Sequence, residues 1–230
     1  MSTLTDYTNA IDQFVQGALP LAEADKQLAV SMAMKIHSKN KPLIVVEDET
    51  GDGGFDYAVT GLALWSDGFS VIRAVEYPVD DDDETPDVLA DDEWSIYTKP
   101  AGDVLRFAND KPAATESLRV TYTAIHTCTA LACTVKTYDE EAVQALSSAL
   151  FCEMLATYFA QNQDSTIAAD SVDHKSKAAE YATRARTYKK IYLDHLGIKD
   201  GQVPAASVTR DQDSLPSWQT DKLTHKARYR

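Results

Sequence analysis

The spacing of apolar residues changes twice along the chain, and this constrains the fold more than any other feature. Near both ends apolar residues recur at three- and four-residue steps, which is typical of amphipathic helices, whereas between 43 and 135 they alternate or form short β-prone runs. No helix of crossover length separates those runs, so we expect antiparallel strands. The sequence therefore predicts an α+β protein: a helical bundle of N- and C-terminal helices, with an inserted antiparallel β domain and an extended C-terminal tail.

The pattern divides the chain into four parts. Residues 1–40 are predicted to form the N-terminal helical hairpin of the bundle, 41–136 the inserted β domain, 137–197 the C-terminal long helices and 198–230 the extended tail. In the first helix, over 5–19, the inward residues are Tyr7, Ile11, Phe14, Val15 and Ala18. In the second, over 21–37 with Pro20 at its first turn, they are Leu21, Leu28, Met32 and Ile36.

Five or six strands are predicted between the helical parts. The segments 43–46 and 55–59 flank Asp52-Gly53-Gly54, a turn sequence that favours a hairpin between them. In the segment 118–124, apolar and polar residues alternate, which is typical of a half-buried antiparallel strand. The residues predicted to face the core there are Leu118, Val120, Tyr122 and Ala124.

Two long helices are predicted after the strands, over 138–161 and 173–196. The first carries too wide an apolar stripe for one face, so we expect it to be central and buried on two sides. The second is expected to end at Gly197. Its inward seam is Ala178, Tyr181, Ala185, Tyr188, Tyr192 and His195. Tyrosines suit a core and a subunit interface equally well, so both interpretations stay open.

Composition limits the class of function. With 22 basic and 36 acidic residues the net charge is −14, which argues against a protein that grips duplex DNA. The first residues lack the features of a secretory signal, and no stretch approaches the roughly 20 uninterrupted apolar residues of a membrane span. We therefore expect no membrane partner, and we expect Cys128, Cys133 and Cys152 to be reduced thiols.

The densest charge lies between 76 and 93, where ten residues are acidic and none is basic. Its centre is the run Asp80, Asp81, Asp82, Asp83 and Glu84. The run lacks the spaced ligands and turn glycine of a calcium loop, so a solvated loop is favoured over a cation site. The segment from Asp48 also fails as an EF-hand, because Val59 stands where the bidentate glutamate is required. We expect neither metal nor cofactor.

No standard catalytic signature occurs, so catalysis is not expected. There is no nucleophile elbow, no phosphate-binding glycine loop and no paired spacing among the histidines. His37 and His195 fall near predicted helix C-termini, where a protonated imidazole suits the helix dipole. A metal cluster of His126, Cys128 and Cys133 is conceivable, although buried structural thiols are favoured.

The tail differs from the rest of the chain. It has no periodic stripe, and its last ten residues carry four basic side chains against one acid. A polar tail on a folded body often docks onto a partner and orders there. The residues expected to make that contact are Trp218, Lys222, Lys226, Arg228, Tyr229 and Arg230.

Several stretches carry a resemblance to a known family. They are Asp67-Gly68-Phe69-Ser70 leading to Val75-Glu76-Tyr77-Pro78, Arg119-Val120-Thr121-Tyr122-Thr123-Ala124-Ile125-His126, and Asp170-Ser171-Val172-Asp173-His174 before Ala179-Glu180-Tyr181-Ala182. With these segments and this order of elements, the chain resembles the head–tail connector (adaptor or neck) proteins of tailed bacteriophages. The likeness extends over most of residues 6–197.

The resemblance implies a virion structural protein of the neck, made in the host cytoplasm. Such adaptors form a ring, usually of twelve copies, below the portal protein, and they dock the next neck or tail-completion protein. The C-terminal segment commonly reaches the portal. The ring extends the DNA channel without sequence-specific contact, since an acidic lining repels phosphates. Asp80–Glu84 are then candidates for the channel or the subunit interface.

Two alternatives belong to other classes. One is a small metal-dependent enzyme built on the acidic loop together with His126, Cys128 and Cys133. The other is a capsid-assembly or binding module that is not retained in the virion. The sequence alone does not determine the number of copies in the ring, the type of phage tail or the surface that contacts each partner.

Overall fold

The computed structural model describes residues 2–16, 20–79, 86–109, 111–161 and 174–198. Within these ranges the chain is mixed α+β, with four α-helices and two three-stranded antiparallel sheets, which confirms the predicted class. The helices are α1 Leu4–Val15, α2 Glu23–Asn40, α3 Thr137–Gln161 and α4 His174–Leu196. The strands are β1 Leu43–Thr50, β2 Asp56–Ala58, β3 Ile72–Glu76, β4 Trp94–Lys99, β5 Gly102–Phe107 and β6 Ser117–Ala124.

Helix α1 begins at a capping box. The Thr3 hydroxyl accepts from the Asp6 amide, and the Asp6 carboxylate accepts from the Thr3 amide at 2.7 Å, so two amides at the helix start are satisfied. Tyr7, Ile11 and Val15 are fully buried, as their spacing predicts. The helix ends at Val15, four residues before the predicted end, and Ala18 lies outside the described residues.

Helix α2 buries a face that matches the predicted one only in part. Leu21 and Ile36 pack against the helical core as predicted. It starts at Glu23, so Pro20 precedes it in a bend instead of occupying its first turn. Its buried apolar residues are Ala29, Val30, Ala33 and Met34. Leu28 and Met32, predicted to be inward, are 52% and 39% exposed. Ala29 and Ala33, one turn apart, are small enough to let α2 approach α1 and α3 closely. The pattern of hydrophobic residues alone does not show that small side chains are favoured at these contacts.

Helix α3 is the centre of the helical core. It packs against α1, α2 and α4, and Phe151, Cys152 and Leu155 are fully buried, which confirms the expectation of a central helix. By length and composition alone α3 is apolar enough to cross a membrane, and 61% of its apolar window is buried inside the protein. Its polar residues still interrupt the apolar run, as expected from the sequence.

The tyrosines of α4 face this same core. Tyr192 is 1% exposed, and Tyr181 and Tyr188 are partly buried against the helical core. The Tyr188 hydroxyl donates to the Phe14 carbonyl at 2.9 Å, which ties α4 to α1. The seam therefore belongs to the core of one chain, and it is not a free interface.

The predicted hairpin between the first two strands is wrong. β1 pairs with β6 and β2 pairs with β5, so the two strands lie in different sheets. Asp52-Gly53-Gly54 does form a turn, with Gly53 at a φ of 80°. That turn is held instead by the segment after β5: the Gly53 amide donates to the Pro112 carbonyl at 3.0 Å, and a Cβ at Gly51 would collide with the Ala113 carbonyl.

The sheets have the orders β1-β6-β3 and β2-β5-β4. In β6 the predicted alternation is confirmed, because all four residues expected to face the core are buried. They form a second core with residues of the other sheet, among them Leu105 and Phe107. The long-range pairing of β1 with β6 brings residues 43 and 124 together beside the ends of the helices.

The observed orientation of α2 predicts effects of different size for two substitutions. Ala33→Leu should lower the free energy of unfolding by about 1–3 kcal/mol, because a buried alanine becomes overpacked. Leu28→Ala should change it by less than about 0.5 kcal/mol, because the side chain is largely exposed. Urea denaturation of both variants measures the difference. A loss above about 2 kcal/mol in Leu28→Ala would show that α2 buries the other face.

Candidate functional site

Polar side chains gather where the helices meet the strands. They come from the C-terminal ends of α2 and α4, the N-terminal end of α3 and the segments that enter β1 and leave β6. We call this cluster the polar junction, defined by His37, Ser38, Asn40, Lys41, His126, Thr134, Asp139, Tyr192 and His195.

Asp139 is the charged centre of the polar junction. Its side chain is 2% exposed, and it accepts from Lys41 Nζ at 2.6 Å and lies 3.0 Å from His195 Nε2. Burial opposes ionisation of this carboxyl, but the hydrogen bonds from Lys41 and His195 outweigh burial and lower its pKa. The ionised carboxylate therefore joins the start of α3 to the start of β1 and the end of α4.

His37 is buried and neutral. Its Nδ1 lies 3.2 Å from the Tyr192 hydroxyl, to which Asn40 also donates at 3.1 Å. Burial first, and then the neighbouring His126, lowers the pKa of His37 to about 4. Although His37 lies at a helix C-terminus, which favours a protonated imidazole, burial keeps it uncharged at neutral pH.

His126 connects the strands to α2. Its backbone amide donates to Ser38 Oγ at 2.8 Å, and its ring nitrogens lie 3.1 Å from the Lys41 carbonyl and from Thr134 Oγ1. Burial lowers the pKa of His126 as well. Its ring centroid is 5.0 Å from that of His37, so the junction holds two adjacent imidazoles without a charge on either at neutral pH.

The cysteines correct the prediction of reduced thiols. Cys128 and Cys133 form a disulfide, whereas Cys152 is free and buried, and burial raises the pKa of its thiol to about 11. The conceivable metal cluster of His126, Cys128 and Cys133 is therefore wrong, because both sulfurs are bonded to each other. Across the described parts of the chain, no three His, Cys, Asp or Glu residues come together as metal ligands.

The disulfide closes a short loop that the sequence pattern gave no reason to expect. The Leu4 amide donates to the Thr129 carbonyl and the Cys133 amide to the Ser2 carbonyl, each at 2.9 Å. These bonds attach the loop to the start of α1. Leu131 at its tip is 89% exposed.

The polar junction has the groups of an acid–base site, and its two hydroxyl side chains are held in structural hydrogen bonds, whereas the buried Nε2 of His37 has no hydrogen-bond partner among the described residues. Ser38 donates its hydroxyl to the Met34 carbonyl at 2.6 Å, as Thr134 does to the Thr127 carbonyl at 3.2 Å. Nucleophilic catalysis needs a hydroxyl or thiol beside a base that is free to take its proton. The geometry instead fits a structural role, in which buried hydrogen bonds hold the strands against the helices.

The residues predicted to bind partners lie elsewhere in the chain. Asp80–Glu84 and the six tail residues from Trp218 to Arg230 fall outside the described residues. Sequence reasoning did not assemble the polar junction, since its members are separated by up to 158 positions, from His37 to His195. The one available signal was the position of two histidines near helix C-termini.

The neutral histidines predict a loss of stability in mild acid. The unfolded chain takes up protons near pH 6.5, whereas folded His37 does so only near pH 4, so lowering the pH between these values favours unfolding. For His37 the loss should be on the order of 2 kcal/mol by pH 4.5. Asp139, with its lowered pKa, contributes only below about pH 4, outside this window.

Urea denaturation at a series of pH values measures this dependence. His37→Asn keeps a hydrogen-bonding group near the position of Nδ1 but cannot titrate, so its curve should be flatter than that of the wild type between pH 6.5 and 4.5. Equal slopes for the two proteins would contradict a buried neutral His37.

Comparison with known proteins adds no family to this description. No family model matches the chain, and no curated protein matches it. The functional argument therefore depends on the residues and their arrangement.

Proposed function

We propose that this chain is a virion structural protein, a head-to-tail connector of a tailed bacteriophage that forms a ring below the portal. In this proposal the four helices make up one bundle, the strands are an insertion in it, and residues 198–230 are an extended tail that contacts the portal. The resemblance described above motivates the proposal. The observation that carries it is the apolar surface that α2 and β1 leave uncovered.

Helix α2 contributes the first part of that surface. Leu28 and Met32 lie one turn apart on the exposed face of a helix whose other face is already buried. Fully burying an exposed apolar side chain is worth about 1.5–3 kcal/mol, and a neighbouring subunit packed here would gain a part of that at each of these half-covered positions.

Strand β1 contributes the second part. Ile44 and Val46 are 51% and 57% exposed on its outer face, and β1 is an edge strand of its sheet. The two surfaces differ in structure, one helical and one stranded. A contact between unlike surfaces is head-to-tail, and repetition of such a contact closes into a ring when the rotation allows.

The charge distribution is consistent with a DNA channel and a docking tail. The net charge of −14 suits a wall along which DNA slides, because phosphates are repelled. Residues 198–230 hold six basic and four acidic residues, so the tail is basic on an otherwise acidic chain. Asp80–Glu84 are proposed to face the channel or a neighbouring subunit, and Trp218, Lys222, Lys226, Arg228, Tyr229 and Arg230 to contact the portal.

The alternatives receive less support. The metal-dependent enzyme loses its Cys128 and Cys133 ligands to the disulfide. The capsid-assembly module that leaves the virion differs from the connector in one testable respect, which is stable binding to the portal.

The ring is tested by assembly on the portal protein encoded in the same genome. Wild-type protein mixed with portal should give added rings in electron micrographs. Leu28→Lys with Met32→Lys should abolish them, because two charges enter the apolar contact. Leu64→Lys, at a residue 44% exposed after β2, is the matched control and should assemble normally. Normal rings in the double variant would exclude α2 as the contact.

The tail is tested by deletion. Removing residues 199–230 should abolish or strongly weaken capture by immobilised portal while leaving the thermal unfolding of the remaining body unchanged. Undiminished capture would reject the tail assignment. A full-length protein that binds no portal would favour the capsid-assembly alternative.

A further inference from the structure

A cavity of about 230 Å³ lies between the two sheets. Its walls come from β2 and the turn after it, from β5 and from the core face of the first sheet. The apolar residues in contact with it include Tyr57, Leu62, Ile72, Leu105, Leu118 and Val120. This volume suits a small molecule or side chain of about ten non-hydrogen atoms.

One carboxylate, that of Glu49, lines this apolar cavity. The half-buried residues of β1 are Leu43, Val45, Glu47 and Glu49, so two acids lie on its inner face. Glu47 is satisfied, since it accepts from the Ala63 amide at 3.0 Å and from the Tyr122 hydroxyl at 2.9 Å. Glu49 makes no hydrogen bond or ion pair with any residue that the structure describes.

The carboxyl of Glu49 is half-buried and has no partner among the described residues to offset that burial. Burial, and then the like charge of Glu47, raises the pKa of the Glu49 carboxyl. Here the space beside Glu49 is left open: Gly61 has no side chain, and a Cβ built there would meet only a Glu49 oxygen, at 3.9 Å.

We propose that this cavity binds an alkylammonium group, with the cation at Glu49 and the apolar chain between the two sheets. The pairing combines a charge-assisted hydrogen bond with burial of the methylene groups. A neutral alcohol gains only the second contribution, and a carboxylate is repelled by Glu47 and Glu49. The ring of Tyr57 provides an aromatic wall to the same space. This proposal does not depend on the connector function.

Two sources supply this chemistry, a free aliphatic amine and the side chain of a lysine in a partner protein. Both carry a primary ammonium on a chain of about four to six carbons, which the cavity volume accommodates. They differ at the far end, because a lysine brings a peptide backbone that must remain outside the cavity.

The test uses n-hexylamine, hexan-1-ol and N-acetyl-lysine methylamide as probes of the full chain at pH 7.5. Amide NMR spectra should show saturable shifts at β1, β6 and residues 57–62 on adding hexylamine. Hexanol should bind about tenfold more weakly, because it lacks the charge. Binding of the lysine derivative together with hexylamine assigns the cavity to a lysine side chain, and binding of hexylamine alone assigns it to a free amine.

Two variants locate the site. Glu49→Gln should weaken hexylamine binding about tenfold while leaving hexanol binding unchanged. Gly61→Leu should weaken both, because the new side chain fills the space beside Glu49. Asp48→Asn is the matched control, since Asp48 lies on the opposite face of β1 and pairs with Arg119.

Two results would overturn the proposal. One is the absence of saturable hexylamine shifts in the wild-type protein. The other is equal affinity for hexylamine in the wild type and in Glu49→Gln, because the cation would then not be at Glu49. The NMR spectra of each variant show at the same time whether it is folded.

Discussion

The attachment of the strands to the helices depends on the hydrogen bonds of the Asp139 carboxylate. This carboxylate joins Lys41, at the entry to the strands, to His195, at the end of α4. A buried ion pair gives little net stability against a well-packed apolar core, but losing one partner leaves a charge without compensation. Its contribution is therefore orientation: the carboxylate contacts Lys41 and His195 together only when the start of α3, the end of α4 and the start of β1 lie side by side.

The sequence anticipated those features that depend on neighbours in the chain. The stripe of α1, the alternation of β6 and the width of the α3 stripe each follow from local spacing, and each is buried as expected. The predictions were wrong where residues distant in the sequence determine which face of a helix is buried or which strands pair. In α2 the close approach of α3 favours Ala29 and Ala33 over larger side chains, and Asp52-Gly53-Gly54 turns the chain from one sheet into the other.

The candidate site was harder to predict than the fold. Neutral histidines, a disulfide and an unpaired inward carboxylate depend on which groups the fold brings together, and residue type does not reveal this. The ring proposal and the amine proposal share a physical basis, because each starts from a group that the single chain leaves uncompensated. For α2 and β1 this is exposed apolar area, and for Glu49 it is charge.

The order of the strands also has a consequence for synthesis. β6 is the central strand of its sheet but the last of the six described strands to leave the ribosome. β1 therefore cannot pair with it until about seventy further residues have been synthesised. Such long-range pairing is slow, because the intervening loop must close before any contact forms. During that interval the nascent chain displays Leu43–Thr50 without a partner, and chaperones or premature association compete for it.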